Sequence, residues 1–450
     1  MGGGPDKEHV LITLGDAEPK HITAMLKQQF PHFDITYFQV SRDTGPKSVN
    51  AGSQVPDGKK SLVCETAAAQ RISHCSYDFG YGYRLGWSGL AAFVLMALLT
   101  EHLYYKRSLA ISNNPSDSLR SPTQPGSRAK VRFPYRPSKP PHEGAAIDLM
   151  KTPSLKLIHL FSAGIDHWSN HPIVKDSDIT ITTVSGIHGP PITEWIVMTT
   201  LVASRRYAIE YEWQKEHFWG QGEKRGLVGT DWVGKTVGIA GYGSIGRQAA
   251  RVFSALGANI HAYTASPRTT PAARRDNGYF VPGTGDPDGT IPVAWYSGTS
   301  KTSLHTFLSS GLDALIVALP LTPSTRHLFG AEEFALLGGA GGSEKTKLTA
   351  GGGAKPFLIN IARGPILDQK ALVRALDDEV LGGAALDVTD PEPLPKDDPL
   401  WNAKNVIITP HVSALGKEYM DRGFELFVTN WKRHERGEGM FNVVDRRRGY

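Results

Sequence analysis

The chain has 450 residues, 40% of them hydrophobic, and a formal net charge of +5. That length allows two domains with substantial cores. The small basic excess, clustered only at Arg446-Arg447-Arg448, excludes a nucleic-acid-binding stripe, and two cysteines, Cys64 and Cys75, exclude a disulfide framework. Met1–Glu8 lacks the apolar segment of a secretory leader. Asp6 stands where a myristoylation start wants Ser or Thr. A cytoplasmic enzyme is expected.

In chain order, His9–Leu14 reads as a strand, Ile22–Phe30 as a helix and Phe33–Val40 as a second strand. Lys156–Phe161 and Asp178–Val184 read as two more strands. This alternation implies a parallel α/β domain. Residues 59–143 interrupt it without any sustained period, which is long for a loop in a compact domain. Asn113–Glu143, rich in Ser, Pro and Arg, reads as disordered. Leu90–Leu99 is continuously apolar but falls short of the roughly 20 residues of a membrane span, so no membrane association is expected. Gly80-Tyr-Gly82-Tyr-Arg-Leu-Gly86 looks like a phosphate-binding turn, but polar Arg71–Asp78 before it makes a poor buried strand.

Thr193–Tyr207 is predicted as a helix connecting two domains. A second α/β unit follows, with strands at Val237–Ala240, Asn259–Tyr263, Ala314–Ala318, Phe357–Ile361, Ala384–Val388 and Val406–Thr409. Gly338–Gly353 is a glycine-rich loop. A last helix, about Ser413–Gly437, is expected to cross back to the first domain.

The second unit carries the chemistry. Gly241-Tyr-Gly243-Ser244-Ile245-Gly246 is a G-x-G-x-x-G run. With 48 glycines, roughly 0.5 such matches arise by chance, so the bare pattern is weak. Its context is specific: an apolar strand precedes it, and Ile245, Ala249, Val252, Phe253 and Leu256 follow at helical spacing. The helix N-terminus would then face a pyrophosphate. Pro320, beyond Ala314–Ala318, joins this cofactor set. At the end of the next strand an NAD site wants an acid for the ribose hydroxyls, and this chain has Thr264. An acid there would cost a 2′-phosphate about 4 kcal/mol per charge pair at 4 Å and an effective ε of 20. Ser266 and Arg268 could bind that phosphate, so NADP is expected to be preferred, with NAD possible.

Arg363, Glu392 and His411 each lie just beyond a predicted strand, where open α/β sheets bind ligands. A guanidinium can grip a carboxylate through two parallel hydrogen bonds. A histidine beside a carboxylate favours its protonated form and could donate to a carbonyl oxygen. Metal ligation is not indicated.

At these residues the chain resembles the D-isomer-specific 2-hydroxyacid dehydrogenases, over most of Leu155–Tyr450 and more loosely over His9–Val40. Ser162-Ala163-Gly164-Ile-Asp-His167, His188-Gly-Pro-Pro-Ile-Thr-Glu194, the glycine run, Asn360-Ile-Ala-Arg-Gly, Gly383–Val388 and Pro410-His411 carry the likeness. The resemblance implies a Rossmann-type cofactor domain, about 204–411, with a parallel sheet. This would be inserted in a discontinuous flavodoxin-like substrate domain, about 1–203 plus 412–450. It implies a homodimer and hydride transfer between NAD(P)H and a short 2-keto or 2-hydroxy acid. Arg363 would bind the substrate, with backbone groups of Ala163 and Gly164 holding the carboxylate. Glu392 would orient His411 as acid/base, and Asp387 would hold the nicotinamide carboxamide. The other reading is a dinucleotide-sensing binding protein of the C-terminal-binding-protein kind. It would show no turnover of keto acids. The family wants a further strand between Val40 and Leu155. Ser61-Leu-Val-Cys-Glu is a poor stand-in for it, and 59–143 reads as an insertion or a translated intron.

Overall fold

The computed structural model describes residues 8–14, 19–39, 92–96, 155–168, 171–340 and 355–447. Twelve strands among them form two wholly parallel sheets. The first sheet contains β1 (Glu8–Leu14), β2 (Phe33–Gln39), β3 (Ala92–Met96), β4 (Leu155–Leu160) and β5 (Thr180–Thr183), in the order β2-β1-β3-β4-β5. That is the flavodoxin-like order expected from the resemblance. β3 lies at its centre, paired with β1 through His9↔Ala92 to Thr13↔Met96 and with β4 on the other side. The strand missing from the sequence reading is therefore the core of the apolar run Leu90–Leu99. A continuous apolar run is the usual sequence of a central strand in a parallel sheet. The disordered reading of Asn113–Glu143 lies outside the described residues.

The second sheet contains β6 (Thr236–Ala240), β7 (Asn259–Thr264), β8 (Ala294–Ser297), β9 (Ala314–Val317), β10 (Phe357–Asn360), β11 (Gly383–Leu386) and β12 (Val406–Ile408), ordered β12-β11-β10-β9-β6-β7-β8. Its strands feed both faces by simple alternation. Leu315, Val317, Leu358 and Leu386 enter one core. Ala314, Ile316, Ile359 and Ala385 enter the other. The order reverses between β6 and β9, which places a ligand crevice at their carboxyl ends.

Two helices join the halves. Gly189–Ser204 follows β5, opens on Pro190 and Pro191, and buries Ile192, Trp195 and Ile196 in a core of the second sheet. It ends before Arg206, whose φ of 57° turns the chain into a separate helix, Tyr207–Lys215. The single helix expected over Thr193–Tyr207 is therefore two. The last helix, Tyr419–Glu435, returns to the first sheet, where Phe424, Phe427 and Trp431 pack with Val10, Leu26 and Phe161. The Tyr419 hydroxyl donates to the Phe161 carbonyl at 2.9 Å. Among the described residues no helix is long and apolar enough to cross a membrane.

Candidate active site

β10, β11 and β12 are neighbours and parallel, so the loops leaving them open on one end of the sheet. Arg363 follows β10, Asp387 and Glu392 follow β11, and His411 follows β12. His411 Nδ1 lies 3.0 Å from Glu392 Oε2, and the side chains are 27% and 31% exposed. A carboxylate accepts from Nδ1–H, so Nε2 is the ring atom left to exchange a proton. Glu392 is held in turn through Oε1, which accepts the Thr389 N–H at 3.0 Å. His411 takes a φ of 54°, and its N–H donates to the Asp387 carbonyl at 2.8 Å.

Asp387 is 1% exposed. Its carboxylate accepts from Thr409 Oγ1 (2.5 Å), Val412 N–H (2.8 Å) and Ser413 N–H (2.9 Å). These contacts staple the turn under the histidine. The resemblance gives Asp387 the nicotinamide carboxamide; the contacts seen here are with the His411 turn.

Arg363 reaches the other domain. Its Nη2 and Nε donate to Asp166 Oδ1 (3.2 Å) and Oδ2 (3.4 Å), and its Nη1 donates to the Ala362 carbonyl at 2.9 Å. Asp166 belongs to the loop after β4 that also carries Ala163 and Gly164. A Cβ on Gly164 would collide with Arg363 Nη2 and lie 2.6 Å from Asp166 Oδ1. The expected carboxylate loop and Arg363 are thus in contact across the two domains. Sequence reading missed Asp166. No local signal in the sequence marks it, because its partner Arg363 lies 197 positions away. Ser162 and Ser185 brace this loop by donating to the Gly164 and Ala163 carbonyls at 2.9 and 3.2 Å.

The glycine run lies at the β6–helix junction. Gly241 has a φ of +100°, and a Cβ there would strike the Ala318 carbonyl at the end of β9. Gly246 packs on Ile239 and on the turn itself, so any side chain would push the helix Ser244–Ala255 off β6. Gly243 differs, since nothing lies within 4 Å of its would-be Cβ. It caps the helix without a side chain, which leaves the first-turn N–H groups of Ser244, Ile245 and Gly246 to an anion. Ile245 sits partly buried against the adjacent core, and Pro320 is exposed beyond β9. These features fit a dinucleotide pyrophosphate.

At the end of β7, Thr264 is nearly buried and donates to the Ser266 carbonyl at 2.8 Å, while Ser266 is exposed. Arg268 folds back to the Ala273 carbonyl at 2.5 Å, and its Nε is buried without a hydrogen-bond partner. A cavity of about 390 Å³ lies beside it, lined by Arg268, Arg274, Trp295 and Ser297 among others. It flanks edge strand β8 and is separate from the cleft holding Arg363 and His411. Among the described residues His305, Glu332 and Glu333 come together with metal-ligand spacing. Lys301 bridges both carboxylates at 3.2 and 3.5 Å, so the group is an ion-pair network.

Two parallel-sheet domains, a dinucleotide turn at the switch of strand order and a histidine–carboxylate pair at neighbouring strand ends fit a nicotinamide-dependent oxidoreductase. Comparison with known proteins agrees. The family model described as D-isomer specific 2-hydroxyacid dehydrogenase, NAD binding domain, matches residues 197–282 and 290–413. A glyoxylate reductase of Thermofilum pendens is 32% identical over 282 residues, 62% of this chain and 71% of that protein. A glyoxylate/hydroxypyruvate reductase A of Arabidopsis thaliana is 28% identical over 299 residues, 65% and 79% of the two chains. The crystal structure of an NADPH-dependent glyoxylate/hydroxypyruvate reductase from Sinorhizobium meliloti, in complex with NADP and sulfate, shares the fold. Its TM-score is 0.58 at 22% identity, covering 99% of this chain and 100% of that one. The chain belongs to the D-isomer-specific 2-hydroxyacid dehydrogenase family, whose members transfer a hydride between a nicotinamide dinucleotide and a small hydroxy or keto acid.

Proposed function

We propose that the protein reduces a short 2-keto acid of the glyoxylate or hydroxypyruvate kind, with NADPH preferred over NADH. When bound, the dinucleotide supplies or accepts the hydride. Arg363 grips the substrate carboxylate together with backbone N–H groups of Ala163 and Gly164, and polarises the carbonyl. Glu392 holds the His411 ring with Nδ1–H turned inward, so Nε2 gives its proton to the forming alkoxide. In oxidation the same atom takes the proton back. Asp387 fixes the turn under that histidine and, in this reading, would hold the nicotinamide carboxamide.

The single observation that carries this reading is the 3.0 Å His411–Glu392 pair at strand ends adjacent to Arg363. Relatives named for glyoxylate and hydroxypyruvate reduction support the substrate class. Two features support NADP: no acid at the end of β7, and the basic cavity lined by Arg268 and Arg274. Ser266 and Arg268 are the phosphate ligands in this reading.

The helix Tyr207–Lys215 buries none of its residues and leaves Tyr207, Ile209 and Tyr211 exposed, with Trp219 83% exposed beyond it. A second copy of the chain covers this face, giving a homodimer. We place the dimer in the cytoplasm, acting on small molecules without nucleic-acid or membrane partners. Steady-state oxidation of NADPH and NADH over a panel of short 2-keto acids tests the assignment. NADPH should win in kcat/KM, and Arg268→Ala should cut that preference about tenfold, the worth of one charge-assisted hydrogen bond. Preference for NADH rejects the cofactor choice, and no turnover with any keto acid favours the dinucleotide-sensing binding protein.

A further inference from the structure

Between the short helix Pro271–Arg274 and β8 runs a long segment, Arg275–Val293, and the family model skips residues 283–289 within it. Asp286 lies in that skipped stretch and yet is only 4% exposed. Its carboxylate accepts from the Tyr242 hydroxyl (2.8 Å), the Thr290 N–H (3.0 Å) and the Ile291 N–H (3.2 Å). Tyr242 is the residue between the first two glycines of the cofactor turn.

Arg247, on the first turns of the same helix and 3% exposed, donates to the carbonyls of Asp286 (2.5 Å) and Arg274 (2.7 Å). It also lies 3.4 Å from the Asp276 carboxylate, and its guanidinium stacks 5.0 Å from the Tyr242 ring centre. Gln248 accepts the Gly285 N–H at 2.6 Å. A charged, buried set of this kind holds one geometry, because losing any partner leaves another buried and unpaired.

The other end of the segment touches the first domain. Gly186, just after β5, has a φ of +102°, and a Cβ there would collide with the Tyr279 carbonyl. The Tyr279 ring packs into the core beneath the first sheet, edge-on to Phe441 at 6.1 Å.

We propose that Asp276–Ile291 is a strap in which Asp286 positions the cofactor turn and Tyr279 carries that setting to the substrate domain, so that dinucleotide binding orders the chain around Gly186. The inference rests on the dinucleotide reading of the glycine run, and on nothing about the keto acid. It is tested with the full-length protein and NADPH, by fluorescence titration and by amide hydrogen exchange. Asp286→Asn is expected to weaken NADPH about tenfold. Tyr242→Phe, which removes only the hydroxyl, should do the same and decides the matter if Asp286→Asn does not fold. In the wild type, NADPH should slow exchange both in 241–250 and in 180–187. In Tyr279→Ala, protection should persist in 241–250 and vanish in 180–187. Wild-type NADPH affinity in Tyr242→Phe, no cofactor-induced slowing at 180–187 in the wild type, or slowing there that survives Tyr279→Ala would each overturn the strap. If NADPH fails to bind the wild type at all, the dinucleotide reading itself falls, which keeps the two failures apart.

Discussion

Two hydrogen-bonded side-chain pairs sit in the candidate site, and they are built on different principles. His411 and Glu392 leave adjacent strands of one sheet. Arg363 and Asp166 face each other from different sheets, at 3.2 Å and with similar exposure. A pair anchored in one sheet keeps its spacing whatever the domains do. A pair across two domains exists only while the cleft has this width. In the mechanism proposed above, the proton-transfer pair would therefore be set before any substrate arrives, whereas the carboxylate grip would be assembled by the arrangement of the domains. Asp166 also occupies the Nε–Nη2 edge of Arg363, the edge a substrate carboxylate would use.

The sharpest way to break the contrast is His411→Ala. It should lower kcat by about 10²–10⁴-fold, the usual worth of a general acid. Dinucleotide affinity, read by fluorescence titration, should stay essentially unchanged. Turnover near wild type would remove His411 from the mechanism. Arg363→Gln comes next. Loss of a charge-assisted grip should cut kcat/KM for the keto acid about 10²-fold, and an unchanged ratio would show that the carboxylate binds elsewhere.

A second histidine sharpens the comparison by being wholly buried. His159 bonds Thr182 at 2.8 Å, and burial pushes its imidazole down from 6.5 to about 4. The unfolded chain then binds the extra proton first. Stability is complete above pH 6.5, falls as pH drops toward 4, and levels off below. The loss between pH 7 and pH 5 should be about 2 kcal/mol, measurable from urea midpoints. His159→Asn should flatten that slope, and an equal slope in the variant would assign the acid sensitivity to other groups. The smallest effect is expected from Asp166→Asn. A part-exposed pair contributes about 0–1 kcal/mol. The keto-acid KM should fall by less than about fivefold as the competing charge disappears; a rise would make Asp166 a support for Arg363 and not a rival of the substrate.

The second sheet was legible because each candidate residue follows a short apolar strand flanked by turn residues, and parallel sheets place ligands at those ends. The places of Arg363, Glu392 and His411 just beyond β10, β11 and β12 needed no further information. β8 was missed because Ala-Trp-Tyr-Ser at a sheet edge has no burial pattern to read, all four positions being half-buried. The helix Gln369–Asp377 was missed although Asp368 caps it through the Ala371 N–H. β3 was hidden by its own strength, since an apolar run without alternation marks a central strand and a membrane-like segment equally. Asp166 and Asp286 carry no local signature. Their roles arise from partners 197 and 44 positions away, which only the fold brings together.

The central place of β3 has a consequence for how this chain tolerates variation in length. β3 pairs with β1 and β4, which lie far from it in the chain, and the cost of closing a longer connection between paired strands grows only logarithmically. Shortened or lengthened isoforms that retain Ala92–Met96 can keep all five strands paired. One that skips it would part β2-β1 from β4-β5 and expose two raw strand edges, the condition under which chains pair with one another instead of with themselves.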